Sequence, residues 1–453
     1  MKFLTLTAAI GLSATAGNAC LLESEKEADR HYARHGVYPE IQRRAGDVST
    51  SATFPIGTGD RFSDGTVVPV GLGVEDRNLE SIMNVEEVSS ALRGLASGFP
   101  DEVELFEPPF ETYEKRTLPG AIVGNNPRVL IMSGIHARER GGPDNVIYFL
   151  SDLLAARKAG TGITYGGQSY TAEDVETALS AGIIVLPITN PDGVAYDQES
   201  GSCWRKNRNP ESSSGGGSDV GIDLNRNYDF VWDFETAFNL DGAGSPASNN
   251  PSSETFCGTA PASEPETQAV VWTLDQHPNI TWFMDLHSFA GSILYAWGDD
   301  DPGSEAPEQN FANAEFDGKR GYTGEDPPDS VYKEYLTADD LKAEEDGTSA
   351  MVKAMIAAGG VTYDAYPAVG LYPTSGASND YAMGRYYGKV ACGSSRMFGL
   401  TLEFGVESSS DPSCPFYPSD SEFHDNVRQV GAGFMEMMLQ AAGPAGEPLI
   451  LEC

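Results

Sequence analysis

The chain has 453 residues with a 40% hydrophobic content, enough to build one large α/β domain or two smaller ones, and the spread of its chemical motifs from His136 to Glu403 favours one. Its 67 acidic residues against 29 basic ones give a formal charge of −38, which disfavours nucleic acid and anionic membranes as partners and leaves cationic or neutral ones. The same acidity also serves plain solubility.

In chain order, Met1-Lys2 is followed by an apolar segment, residues 3–16, and by the small residues Gly17-Asn18-Ala19. That is the pattern of a secretory signal peptide cut after Ala19, so a secreted, extracellular protein is expected. No other stretch is long and apolar enough to cross a bilayer. Residues 20–76 read as a leader or short propeptide-like segment: a charged helical piece at 23–34, the dibasic pair Arg43-Arg44 as a candidate processing site, then a run rich in Gly, Asp and Ser. From Arg77 the pattern is globular, giving a main domain over 77–443 and a tail over 444–453.

Six cysteines behind a signal peptide, none spaced Cys-x-x-Cys, point to disulfides and away from a metal cluster. The preferred pairs are Cys203 with Cys257, flanking a loop-rich region, Cys392 with Cys414, flanking the strand of Glu403, and Cys20 with Cys453 at the ends of the mature chain. Were the last pair to form, cutting after Arg44 would not release the leader.

Within the main domain, residues 85–97 and 144–157 read as helices. The apolar run 181–186 reads as a strand covered on both faces, ending in a turn at 187–193. A Ser/Gly-rich hinge covers 212–218, a helix 264–277, and a second buried strand 280–287. Residues 299–345, acidic and rich in Pro and Gly, read as a surface excursion with little regular structure. A short helix at 349–358, a flexible loop at 371–380, an apolar strand at 397–404 holding Glu403, and a closing helix at 421–441 complete the chain.

The chemistry centres on Gly134-Ile135-His136-Ala137-Arg138-Glu139, a loop between an apolar strand and a helix. An imidazole and a carboxylate three residues apart can reach one cation, and zinc accepts nitrogen and oxygen ligands at about 2.0–2.2 Å. Alone, such a pair is more often a polar loop contact. A third ligand is available in His287, delivered at the carboxyl end of its strand, where open α/β sheets place their working crevice. His31, His35, His277 and His424 lack such a setting and read as structural.

Together with Thr189-Asn190-Pro191-Asp192-Gly193, Trp204-Arg205-Lys206, Asp223-Leu224-Asn225-Arg226-Asn227, His287-Ser288, Tyr372 with Ser375-Gly376, and Glu403, that loop resembles, in order over residues 77–442, the zinc carboxypeptidases of the pancreatic A and B type. The resemblance implies a single large α/β domain, a twisted mixed sheet of about eight strands flanked by helices on both faces. It implies one zinc ion held by His136, Glu139 and His287, with Glu403 as general base and acid toward the attacking water and the leaving amine.

Arg205 would stabilise the oxyanion, and Arg226 with Asn225 would clamp the substrate's terminal carboxylate. Tyr372 would close over the C-terminal residue, and Arg138 would touch the peptide further upstream. The partners implied are peptide and protein C-termini, acted on by a monomer.

Two positions depart from the family pattern. Phe289 replaces a common Tyr, removing a subsite hydroxyl, and Asn379, at the position that grades side-chain preference, is neither aliphatic nor acidic. Neutral aliphatic or aromatic C-terminal residues are the expected substrates, with basic ones as the alternative. A zinc amidohydrolase acting on small acyl amino acids or cell-wall peptides, and a catalytically dead binding protein, are the competing classes. Asn279-Ile280-Thr281 is a glycosylation sequon beside a buried strand.

Overall fold

The structure, a computed structural model, describes residues 21–38, 53–212, 220–243, 245–321 and 332–452. The signal-peptide segment, Arg43-Arg44, the Cys20–Cys453 pair and all but Ser212 of the hinge lie outside the described residues.

Eight short strands form the main sheet: β1 (Val103–Phe106), β2 (Gly120–Val123), β3 (Val129–Ser133), β4 (Ile183–Leu186), β5 (Trp282–His287), β6 (Ser292–Tyr295), β7 (Asp364–Pro367) and β8 (Phe398–Glu403). Their order across the sheet is β1-β2-β4-β3-β5-β8-β6-β7. The four central strands β4, β3, β5 and β8 run parallel, while β2 against β4 and β6 against β8 run antiparallel, so the sheet is mixed.

The central strands are continuous apolar runs because both of their faces are covered. Alternate side chains divide between two cores, as a period of two requires. Val129, Ile131, Trp282, Met284, Leu286, Phe398, Leu400 and Leu402 join a large core against α2 (Val85–Gly98), α3 (Gly142–Ala159), α4 (Ala172–Ala181), α7 (Ala338–Ala358) and α9 (Asp420–Ala442). Leu130, Met132, Ile184, Leu186 and Phe283 join a smaller core against α6 (Pro265–Gln276) and α8 (Ser378–Tyr387). By the same parity Asp285 and His287 on β5, and Thr401 and Glu403 on β8, face the side of α8. A Cβ at Gly399 would lie 2.0 Å from the Asn379 carbonyl oxygen, so glycine there lets α8 lie directly on β8.

The closing helix forms as the 3.6-residue spacing predicts. Its N-terminus is a capping box in which Ser419 and Glu422 each accept the other's backbone N–H, and Val427, Val430, Phe434, Met437 and Met438 are all buried. Each such side chain contributes up to about 1.5–3 kcal/mol of transfer free energy.

Several sequence readings need correction. The helix expected at 349–358 is the second half of α7, 21 residues long and capped by Thr337. Its acidic first half looked like solvated surface, yet Asp340 and Glu344 face inward. The surface excursion at 299–345 therefore ends at 337, and Asp299, Arg320 and Glu334 within it are buried. The turn at 187–193 runs into α5 (Pro191–Ser200), because Asn190 accepts the Gly193 N–H and Pro191 suits the first helical position. The loop at 371–380 likewise gives way to α8 at Ser378.

The disulfide pairing is also different. Cys203 bonds Cys414 with a Cα–Cα distance of 5.6 Å, Cys257 is a free buried thiol, and Cys392 is bonded to a cysteine other than Cys414. Proximity along the chain misled: Cys257 packs among Phe234, Ala237 and Phe238, while Cys203 meets the segment that returns past the site after β8.

Candidate metal and catalytic site

The loop after β3 turns at Gly134, whose φ of 64° suits glycine, and then buries His136, Arg138 and Glu139. His287 ends β5 and stands in register with Glu403, the last residue of the neighbouring parallel strand β8. Three carboxyl ends of adjacent strands thus deliver the two imidazoles and the two carboxylates to one corner.

His136 Nδ1 lies 2.8 Å from Glu139 Oε1, and His287 Nδ1 lies 3.0 Å from both His136 Nδ1 and Glu139 Oε2. Among the described residues these three are the group whose ligand atoms all lie within 4.8 Å of one another. Donors around a four-coordinate zinc with bonds of about 2.0–2.1 Å sit roughly 3.3 Å apart, so the set fits zinc in spacing as well as chemistry. The outer nitrogens are held as well: His136 Nε2 is 2.9 Å from Asp223 Oδ1, and His287 Nε2 is 2.9 Å from Asp285 Oδ2. Carboxylates at those positions fix each ring and turn its Nδ1 lone pair inward.

The electrostatics favour a cation. Burial opposes ionisation of Glu139, but His136 and His287 outweigh it and hold the carboxyl well below its usual range. Burial likewise opposes ionisation of Asp223, and Arg205 with His136 overcomes it. Burial would depress the His287 imidazole, yet Asp285 and Glu139 hold it well above its ordinary value.

Arg205 donates through Nε and Nη2 to Asp223 Oδ2 at 3.2 and 2.8 Å, and its Nη1 lies 3.2 Å from His136 Nδ1. The guanidinium is therefore fixed at the edge of the triad. Asn225 accepts the Ser378 N–H at 2.8 Å, Arg226 Nη1 donates to the Asn225 carbonyl at 2.7 Å, and the Arg226 guanidinium carbon lies 5.8 Å from the Tyr372 ring centre. One cavity is lined by His136, His287, Arg205, Asn225, Arg226, Tyr372, Asn379 and Glu403, together with Leu294, Ala368, Leu371 and Thr401.

Arg138 does not line that cavity. It is fully buried, donates to both oxygens of Glu25 at 2.7 and 3.0 Å, and stacks 4.4 Å from the Phe416 ring centre. Glu25 belongs to α1 (Glu23–His35), far from the loop in sequence, and no local pattern links the two. The sequence reading also gives Asp223 and Asp285 no role. A signal existed for Asp285: a carboxylate two residues before a histidine in an apolar strand shares its face. Of the histidines read as structural, His424 accepts the Leu79 N–H at 2.8 Å. Asn279 is half-buried, and the Thr281 hydroxyl donates to the Gly446 carbonyl.

The family model for zinc carboxypeptidases (peptidase M14) matches residues 88–430. Carboxypeptidase A4 of Mus musculus is 31% identical over 228 residues, 49% of this chain and 48% of that protein. Carboxypeptidase B of Bos taurus is 33% identical over 177 residues, 39% of this chain and 37% of that protein. The chain thus spans about half the length, or less, of these curated relatives. The crystal structure of carboxypeptidase A from Helicoverpa armigera shares the fold, with a TM-score of 0.57 at 23% identity over 81% of this chain and 75% of that one. Thrombin activatable fibrinolysis inhibitor shares it with a TM-score of 0.56 at 20% identity, over 79% and 74% of the two chains. On the match over residues 88–430, the chain belongs to the zinc carboxypeptidase family.

Proposed function

We propose that the protein is a secreted zinc metallocarboxypeptidase, acting as a monomer, that removes the C-terminal residue from peptides and proteins. The observation that carries this reading is a cavity in which His136 and His287 of the triad, Glu403, Arg205 and the Asn225, Arg226 and Tyr372 group face one another, with Glu139 buried behind the two imidazoles within their ligand-atom spacing. A bound zinc supplies a water acidic enough to ionise near pH 7.

The chain's own residues do the rest. Glu403, level with His287 on the adjoining strand, takes the proton and returns it to the leaving amine. Arg205 offers Nη1 to the oxyanion while Asp223 holds the rest of its fork. Arg226 and Asn225 receive the terminal carboxylate, and Tyr372 beside Arg226 covers it. Leu294, Ala368 and Leu371 around Asn379 and Thr401 favour a neutral aliphatic or aromatic C-terminal residue.

The leader is proposed to restrain this site, since Glu25 occupies the guanidinium of Arg138. Blocked dipeptides ending in Phe, Leu, Lys, Arg and Glu test the activity and its preference. Release of free amino acid, fastest from Phe or Leu and abolished by a zinc chelator, is expected. Silence on every substrate with zinc bound and the leader cut after Arg44 would hand the site to the amidohydrolase or binding-protein reading.

A further inference from the structure

Asp285 touches more than the metal ligand. Its Oδ2 lies 2.9 Å from His287 Nε2 and also accepts the Ser378 hydroxyl at 2.6 Å. Ser378 then donates its N–H to Asn225 Oδ1 at 2.8 Å. Asp285 and Ser378 are buried, as is Asn225 apart from its face on the cavity, and Ser378 is the first residue of α8, directly before Asn379. One carboxylate oxygen therefore fastens a metal-corner histidine to the helix that walls the side-chain pocket, and through its backbone to the group assigned to the terminal carboxylate.

We propose that Asp285 is a positioning residue that couples metal binding to occupation of the C-terminal carboxylate site, through Ser378 and Asn225. This rests on the carboxypeptidase reading of the cavity. The physical reason is shared geometry. A carboxylate behind the ligand histidine fixes its tautomer and ring angle, and such partners are worth about 10–100-fold in metal affinity. A ligand carboxylate that draws Asn225 into place also fixes Ser378, hence Asp285, hence the His287 ring. By linkage each event then favours the other equally.

The test is the zinc dissociation constant, measured by chelator competition for wild type, Asp285→Asn and Ser378→Ala, each with and without saturating 3-phenylpropanoate as a small carboxylate with an apolar side chain. Circular dichroism reports folding, and the visible spectrum of the cobalt-loaded form reports the ligand geometry. Wild type should bind zinc more tightly with the carboxylate present. Asp285→Asn should bind it about 10–100-fold more weakly while folded, with an altered cobalt spectrum. Ser378→Ala should keep its unliganded zinc affinity within about threefold, a difference under ~1 kcal/mol, and lose the tightening.

A folded Asp285→Asn with wild-type zinc affinity, or tightening that survives in Ser378→Ala, overturns the proposal. Survival would mean that the coupling takes another route, either the direct approach of Asn225 Nδ2 to His287 Nε2 at 3.4 Å or contact of the carboxylate with the metal itself. If Asp285→Asn does not fold, Ser378→Ala alone decides. Absence of zinc binding by wild type would instead overturn the functional reading beneath it.

Discussion

Glu403 sits at the end of an otherwise apolar strand, 3% exposed, level with His287 across a parallel ladder. Glu403→Gln preserves its volume and removes its capacity to take a proton. The expected result is zinc affinity close to wild type and a kcat lowered about 10²–10⁴-fold, the usual worth of general acid–base catalysis. Loss of zinc together with activity would assign Glu403 to the metal instead. At this scale the sequence was most legible where residue type and spacing coincide. His136, Glu139 and His287 carry ligand chemistry at strand ends, and the structure converges them. Arg138 shows the limit, because its partner Glu25 lies 113 residues away and no local pattern links that helix to the loop.

α1 is the element whose role depends most on one contact. Leu22 packs against the cluster of Cys203, Cys414 and Phe416, and Asp29 accepts the Ser253 hydroxyl at 3.1 Å, so the helix spans from one rim loop to another, with the Glu25–Arg138 pair between them. Breaking a buried ion pair from one side typically costs about 3–5 kcal/mol, which weakens the hold of this 13-residue helix on the domain. Glu25→Gln should therefore lower KM about tenfold for peptides reaching several residues upstream of the scissile bond, a change of ~1.4 kcal/mol, while blocked dipeptides change little. Unchanged kinetics on long peptides would show that α1 is structural only.

Strands and helices with clear periodicity, such as β5 and α9, were legible for the same reason that they are stable: one side of each pattern meets the core. Only the second half of α7 is legible in the sequence, because the buried acids of its first half, Asp340 and Glu344, mimic a solvated face. The cysteine pairs were not legible, since Cys203 and Cys414 are 211 residues apart and meet only through the sheet.

Across the whole molecule, buried carboxyls set the response to pH. Burial pushes Asp144 and Asp152 up to about 7, and Asp300 and Glu266 up to about 8. For an acid raised on folding, the unfolded chain ionises first and the native state holds the extra proton. Stability then falls as pH rises from about 4 to about 8 and levels off above that window. Tm should be lower at pH 8 than at pH 5, added salt should recover part of the loss by screening the net charge of −38, and Asp144→Asn should flatten the slope. A Tm that rises from pH 5 to pH 8 would contradict this account.

The central claim, that the cavity reads a free peptide C-terminus beside a zinc-activated water, is tested most directly with one peptide made twice, as the free acid and as the C-terminal amide. Each is incubated with the zinc-loaded enzyme and followed by mass spectrometry. The account predicts loss of one C-terminal residue at a time from the acid, with the amide left intact and chelator stopping the reaction. Equal trimming of both forms, or cleavage within the chain, would contradict it.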